Sequence, residues 1–427
     1  MYMNRDVLKQ IIIDQKEMYL DNPLISRDYD LEENVNYCFV GIRRTGKSYM
    51  MYQQIHNLMN DGISSSQIIY VNFEDERLLE IGVDDLNTIL EIGIEFSGSK
   101  GKPYLFLDEI QNVDGWEKFV RRVADMKYRI NITGSNSKML SKEIASTLGG
   151  RFMIVNVFPY SFKEYLSANH IENIMLAQIG TKKRADIVSQ YEQYVTYGAF
   201  PELVDIIAKR AWLNDVYSKI FFSDLIVRNK IRNEEAMGLL VKRLAEGVKQ
   251  PVSHTRLANL ISTAGIKISK ATIIDFIKYL KESCLLFPLE NYAAKFAERN
   301  SNMKYYFIDN GLLHIFLTDA NTSLLENIVA IQLYKKYGNE VYFYNQNIEV
   351  DFIIPEQKTA YQVSYSLMDE NTYQRETEAL IKLNTVFPME QMYIITKDEE
   401  RTIAHEKGIN IEVIPVWKWL LNETIIK

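Results

Sequence analysis

Tyr37-Cys38-Phe39-Val40-Gly41-Ile42-Arg43-Arg44-Thr45-Gly46-Lys47-Ser48 is the stretch that decides the fold. Its first four residues are apolar without alternation, which predicts a strand buried on both faces. Its last eight fit G-x-x-x-x-G-K-[ST], and helical spacing follows from about Lys47 to Met59. A strand, a glycine turn and a helix in that order form a phosphate-binding loop. The glycines let backbone N–H groups turn inward, and the helix directs its positive end at the anion. Gly41, Arg43, Arg44, Thr45, Gly46, Lys47, Ser48 and Tyr49 are therefore the expected nucleotide contacts. Lys47 should reach the β- and γ-phosphates of ATP, and the Ser48 hydroxyl should ligate Mg²⁺.

The second half of such a site lies about sixty residues further on. Tyr104-Leu105-Phe106-Leu107-Asp108-Glu109 reads as an apolar strand ending in two acids. Asp108 is placed to hold the Mg²⁺ shell and Glu109 to orient and polarise the attacking water. Either acid alone could merely solvate a strand end; behind a phosphate loop the pair reads as Walker B. Two further strands are expected, at Gln67–Phe73 and Arg129–Thr133. Asn136 and Ser135 follow the last strand and are candidates to touch the γ-phosphate or the water, or simply to cap a helix. Arg151 is a candidate arginine finger, offered to a neighbouring copy in a homo-oligomer, with Arg43 and Arg44 as rivals.

Beyond Pro159 the pattern becomes long helical stretches up to about Lys249, broken at Gly198-Ala199-Phe200-Pro201, and from about Met303 β-rich runs return. The expected architecture is an α/β P-loop NTPase parallel sheet with helices on both faces over 1–160, a helical lid over 161–249, a winged-helix segment over 250–295 and a second, nuclease-like α/β domain over 296–427.

The chain resembles prokaryotic AAA-type ATPases that join an AAA_14 domain to a carboxy-terminal DUF4143 domain. The marks are the loop itself, Leu-Asp-Glu-Ile-Gln at 107–111, Ile-Thr-Gly-Ser at 132–135, Gly-Gly-Arg at 149–151, Phe-Pro-Tyr-Ser-Phe-Lys-Glu-Tyr-Leu at 158–166 and Tyr-Gly-Ala-Phe-Pro-Glu at 197–202. Later come Phe-Ile-Asp-Asn-Gly-Leu at 307–312, Leu-Glu-Asn at 325–327 and Glu-Val-Asp-Phe-Ile at 349–353. The resemblance implies ATPase activity, an α-helical lid, a winged helix and a nuclease-like carboxy-terminal fold.

Residues 251–288 read independently as helix-turn-helix. Ser253 and Ser269 are expected N-caps, and Ile273, Phe276, Ile277 and Leu280 recur at helical spacing. Lys267, Lys270, Lys278 and Lys281 give a basic edge suited to DNA phosphates, or merely a solvated face of a protein-binding module.

In the nuclease-like fold that the resemblance implies, Glu326, Asp351 and Gln362 would hold a divalent metal. An acid-x-Lys pair would complete it, but Gln362 and Ser364 stand there instead. The cation is missing unless another lysine reaches in, Lys358 being the nearest in sequence. A retained fold that binds nucleic acid or a protein partner without cutting is the expectation.

Composition bounds the rest. Of 427 residues 47% are hydrophobic and 25% charged, with 27 Tyr and 19 Phe, a globular balance. A net charge of −7 confines nucleic-acid contact to a local basic face. Cys38 and Cys284 sit among apolar residues and read as reduced, the five histidines show no metal-ligand spacing, and no signal peptide or membrane span is evident, so a cytoplasmic location is expected. The functional expectation is Mg²⁺-dependent ATP hydrolysis driving a conformational change. An ATP-gated metal-dependent DNA nuclease and a nucleotide-sensing DNA-binding regulator are the alternatives.

Overall fold

The structure, a computed structural model, describes residues 3–135, 147–172, 174–176, 179–295, 299, 301–405 and 409–422. The chain divides into two units, Met1–Phe158 and Pro159–Lys427.

The first unit is built on a five-stranded sheet of β1 (Asn36–Val40), β2 (Ile68–Asn72), β3 (Tyr104–Asp108), β4 (Arg129–Gly134) and β5 (Phe152–Asn156), in the order β2-β3-β4-β1-β5. Every pairing is parallel. Strand alternation explains why both faces must be covered. Cys38 and Val40 of β1, Ile69 and Val71 of β2, and Leu105 and Leu107 of β3 share one core with Leu8, Ile11 and Ile12 of the first helix. The intervening Tyr37, Phe39, Ile68, Tyr70 and Phe106 enter the opposite core with Met50, Met51 and Ile55 of the helix Lys47–Asn60. Burial pushes the thiol of the free Cys38 up to about 12, which favours its protonated form. The sequence reading anticipated four of these strands; β5 was missed.

The second unit carries a nine-stranded sheet in the order β13-β14-β12-β11-β10-β9-β7-β8-β6. Its strands are β6 (Val252–Ser253), β7 (Leu286–Asn291), β8 (Asn302–Phe307), β9 (Tyr342–Asn345), β10 (Glu349–Ile354), β11 (Thr359–Val363), β12 (Gln391–Thr396), β13 (Arg401–His405) and β14 (Ile409–Pro415). β6 and β7 flank β8 antiparallel, and β7 continues into β9 in parallel. β7 and β8, which lie on the two sides of the boundary expected at 295/296, belong to this one sheet.

The helices His254–Thr263 and Lys270–Glu282 lie between β6 and β7. Ser253 Oγ accepts the Arg256 amide at 3.2 Å, and Ser269 Oγ accepts the Thr272 amide at 3.0 Å. Leu257, Ile261, Ile273, Phe276, Ile277 and Leu280 are buried.

Two of the motifs that mark the resemblance dock on each other. Asp309 accepts the amides of Ala199 (2.8 Å), Gly311 (2.8 Å) and Leu312 (3.2 Å). Gly198, at φ 77°, comes so close that a Cβ there would press into the Asp309 carboxylate, and one on Gly311 would meet the Tyr197 carbonyl. Glycine is required at both places by close approach. Among the described residues no helix is long and apolar enough to cross a membrane.

Candidate functional site

β1 delivers the chain into the phosphate loop, and the loop's geometry follows from its glycines. Gly41 lies against the Val157 carbonyl, in space a Cβ would need. Arg44 (φ 66°) and Gly46 (φ 90°) take left-handed conformations that curl the loop before the helix begins at Lys47. Lys47 is only 5% exposed. Its ammonium lies 3.3 Å from the Ile42 carbonyl and 3.5 Å from Glu109 Oε1.

The β3 terminus faces this loop. Asp108 is fully buried and accepts hydrogen bonds from Tyr70 OH at 2.6 Å, from Thr133 Oγ1 and from the Ser48 hydroxyl. Burial and then the neighbouring Glu109 raise its carboxyl above the usual range, against those three donors. At Glu109 burial also acts upward, but Lys47, Gln111 and Ser135 outweigh it and the carboxyl stays below its ordinary value. Glu109 itself is left-handed at φ 52°, a strained turn for a non-glycine residue that swings its side chain back toward Lys47. The Glu109 amide donates to Thr133 Oγ1 at 2.8 Å, and the Ser135 amide donates to Glu109 Oε2 at 3.0 Å.

The residues present fit Mg²⁺ and a polyphosphate. A hydroxyl and a carboxylate already in contact are hard oxygen donors of the kind Mg²⁺ takes, and a buried ammonium stands beside them.

The remaining expected contacts are more dispersed. Arg43 lies 3.3 Å from Glu74, Tyr49 is 43% exposed with its hydroxyl 3.5 Å from Asn22 Oδ1, and Arg151 donates to Asp125. Asn136 lies outside the described residues.

One residue the sequence reading missed is Arg27, buried, whose guanidinium donates to the Thr45 carbonyl (3.0 Å) and the Phe158 carbonyl (2.7 Å). Gln53 of the loop helix grips its backbone, accepting the Arg27 amide at 2.8 Å. Arg27 thus props the loop from behind. No local pattern signals it, because its partners are main-chain carbonyls 18 and 131 positions away.

In the second unit Glu326, Asp351 and Gln362 do come together, around a cavity of about 560 Å³. The lysine that joins them is not Lys358, which pairs with Glu390 at 2.7 Å, and Ser364 donates to the Ser366 carbonyl. It is Lys304 of β8, 1% exposed, 3.3 Å from Asp351 Oδ1, 3.3 Å from Glu349 Oε1 and 3.5 Å from Glu326 Oε1. Burial acts to lower the Lys304 pKa, but the three carboxylates prevail and hold it above the ordinary lysine range. Burial raises Glu326 to about 7, against Lys304 and the Tyr306 hydroxyl, which donates to it at 2.7 Å. Gln362 is turned to the backbone, accepting the Asp351 amide at 2.9 Å and donating to the Glu349 carbonyl at 3.1 Å. These residues do not fit a divalent metal: the ammonium fills the space between the acids. In this arrangement no group of three or more His, Cys, Asp or Glu among the described residues could hold one.

Comparison with known proteins accords with the first unit and corrects the second. The family model described as an AAA domain matches residues 34–166. The second match is a domain of unknown function, DUF8612, over residues 188–323, in place of the DUF4143 that the sequence resemblance suggested. The chain is 34% identical over 436 residues to the uncharacterized protein MJ1544 of Methanocaldococcus jannaschii, covering 97% of this chain and 95% of that one. It is 29% identical over 418 residues to an uncharacterized protein of Haemophilus influenzae, covering 95% and 98%. Among solved structures, the Walker-type ATPase PABY2304 of Pyrococcus abyssi aligns over 73% of this chain and 95% of its own at 13% identity, with a TM-score of 0.38. The chain belongs to the family of the Methanocaldococcus jannaschii protein, and its residues 34–166 form an AAA domain of the nucleotide-binding, P-loop ATPase type.

Proposed function

We propose that this protein binds ATP with Mg²⁺ at Gly41–Ser48 and hydrolyses it with Glu109 as the base. The observation that carries the reading is the convergence of two distant segments: Ser48 contacts Asp108, while Lys47 stands 3.5 Å from Glu109. In this reading Ser48 and Asp108 hold Mg²⁺, which when bound neutralises phosphate charge as it develops. Lys47 moves from Glu109 to the phosphates as the nucleotide arrives. Losing that neighbour raises the proton affinity of Glu109, which then accepts a proton from the attacking water. The Lys47–Glu109 pair would so keep the base weak until substrate is present. Steady-state phosphate release with Mg²⁺ and with chelator tests this; equal rates in both would contradict it.

The segment from β6 to β8 supports a winged-helix reading, with the helix Lys270–Glu282 as the element offered to DNA. Lys270, Lys278, Lys281 and Ile274 are exposed along it. Duplex binding that weakens steeply with salt and is lost in Lys270→Glu/Lys278→Glu is the expected result; unchanged binding in that variant would remove this role. ATP turnover would then drive a conformational change that alters this contact. The rival reading, an ATP-gated nuclease, gains from Lys304 the lysine that position 364 lacks, but is disfavoured because Gln362 is turned to the backbone and the ammonium lies between the acids.

A further inference from the structure

The acids of the second unit come from separate elements. Glu326 lies on the buried stretch of the helix Asn321–Tyr337, Glu349 and Asp351 on β10, and the Lys304 ammonium stands between them, with Lys249 also lining the cavity. Lys304 belongs to β8, two residues before Tyr306, whose hydroxyl donates to the same Glu326 oxygen. A divalent cation collecting these carboxylates would need their oxygens at about 2.0–2.6 Å and the volume the ammonium fills. The cluster is also tied down elsewhere. Asp351 Oδ2 accepts the Val363 amide at 2.9 Å, and Gln362 bridges the Asp351 and Glu349 backbones. A buried cation is retained only where it is paired, and these three acids pair with this one.

We propose that Lys304 is a built-in cation that occupies the place of a divalent metal in this acid cluster, so that the cavity beside it works without metal and cleaves no phosphodiester. Lys304 offsets part of the carboxylate charge from within, and Ser364, which stands where the acid-x-Lys pattern has its lysine, is turned to the Ser366 carbonyl. The proposal is independent of the ATP site.

The test is Mn²⁺ binding to the full-length, nucleotide-free protein, followed by electron paramagnetic resonance, counting only the ions lost in Asp351→Asn. Wild type is expected to show none. Lys304→Ala, which vacates the space and leaves the three acids, is expected to gain one saturable site per chain, at least about tenfold tighter than any binding by wild type. That site should vanish again in Lys304→Ala/Asp351→Asn. Should Lys304→Ala fail to fold, Lys304→Ala/Glu349→Gln keeps two acids around the vacated space and carries the same expectation. A wild-type Mn²⁺ site abolished by Asp351→Asn overturns the proposal, and so does a folded Lys304 variant that gains no site.

Discussion

The Lys47 ammonium lies 3.5 Å from Glu109 Oε1, so the expected phosphate-binding cation and the expected base form an ion pair with each other. Glu109→Gln should keep ATP binding and lose turnover by at least about 100-fold, because a positioned base contributes that much or more. Filter binding of labelled ATP beside a phosphate-release assay reads both quantities. Turnover at the wild-type rate would move the base elsewhere.

Arg27 holds the Thr45 and Phe158 carbonyls from a buried position. Arg27→Ala leaves both without a charged donor and should cost about 2–4 kcal/mol in the stability of the first unit. Arg27→Lys supplies one donor where two diverge, and should recover stability in part while ATP affinity remains about tenfold weak, since the loop is no longer gripped at two points. Thermal unfolding and ATP titration of the two variants separate these effects.

Gly198 is left-handed and abuts Asp309. Gly198→Ala should destabilise the second unit by about 2–4 kcal/mol, through strain at positive φ and displacement of a carboxylate that accepts three amides. ATP binding by the first unit should persist. Calorimetric unfolding, with nucleotide binding measured on the same sample, distinguishes this local effect from general misfolding.

Glu326 is raised from its ordinary 4.5 to about 7 by burial. The folded state therefore binds a proton more tightly than the unfolded state. The stability this contributes is complete below pH 4.5 and is lost as pH rises through about 7. Between those limits wild type should lose stability relative to Glu326→Gln, which does not titrate and still accepts from Tyr306. Denaturant midpoints of the two proteins from pH 4.5 to 7.5 give the difference directly.

How far the sequence was legible depended on where each residue's partners lie. The β1–loop–helix unit and the Asp108–Glu109 strand end are written in consecutive residues, and their burial on both faces follows from unbroken apolar runs. β5 was legible as the apolar run Phe152-Met153-Ile154-Val155 and was passed over; what the run does not show is that only Phe152 is buried while Met153 and Ile154 are exposed, since β5 is an edge strand of the sheet. Ser253 and Ser269 were readable as caps because capping is local. Arg27 and Lys304 were not, because a basic residue normally reads as solvated, and only the fold brings remote carbonyls or carboxylates to it. The motifs at 197–202 and 307–312 were visible, but their reason, mutual docking through Asp309, appears only in three dimensions.

Isothermal titration of ATP into the wild-type protein and into Lys47→Ala, each with and without Mg²⁺, tests the central claim most directly. The account predicts one site per chain in wild type, tightened by Mg²⁺, and a loss of at least about tenfold in affinity when the ammonium is removed. Uptake that is absent in folded wild type, or equal in the two proteins, would contradict it.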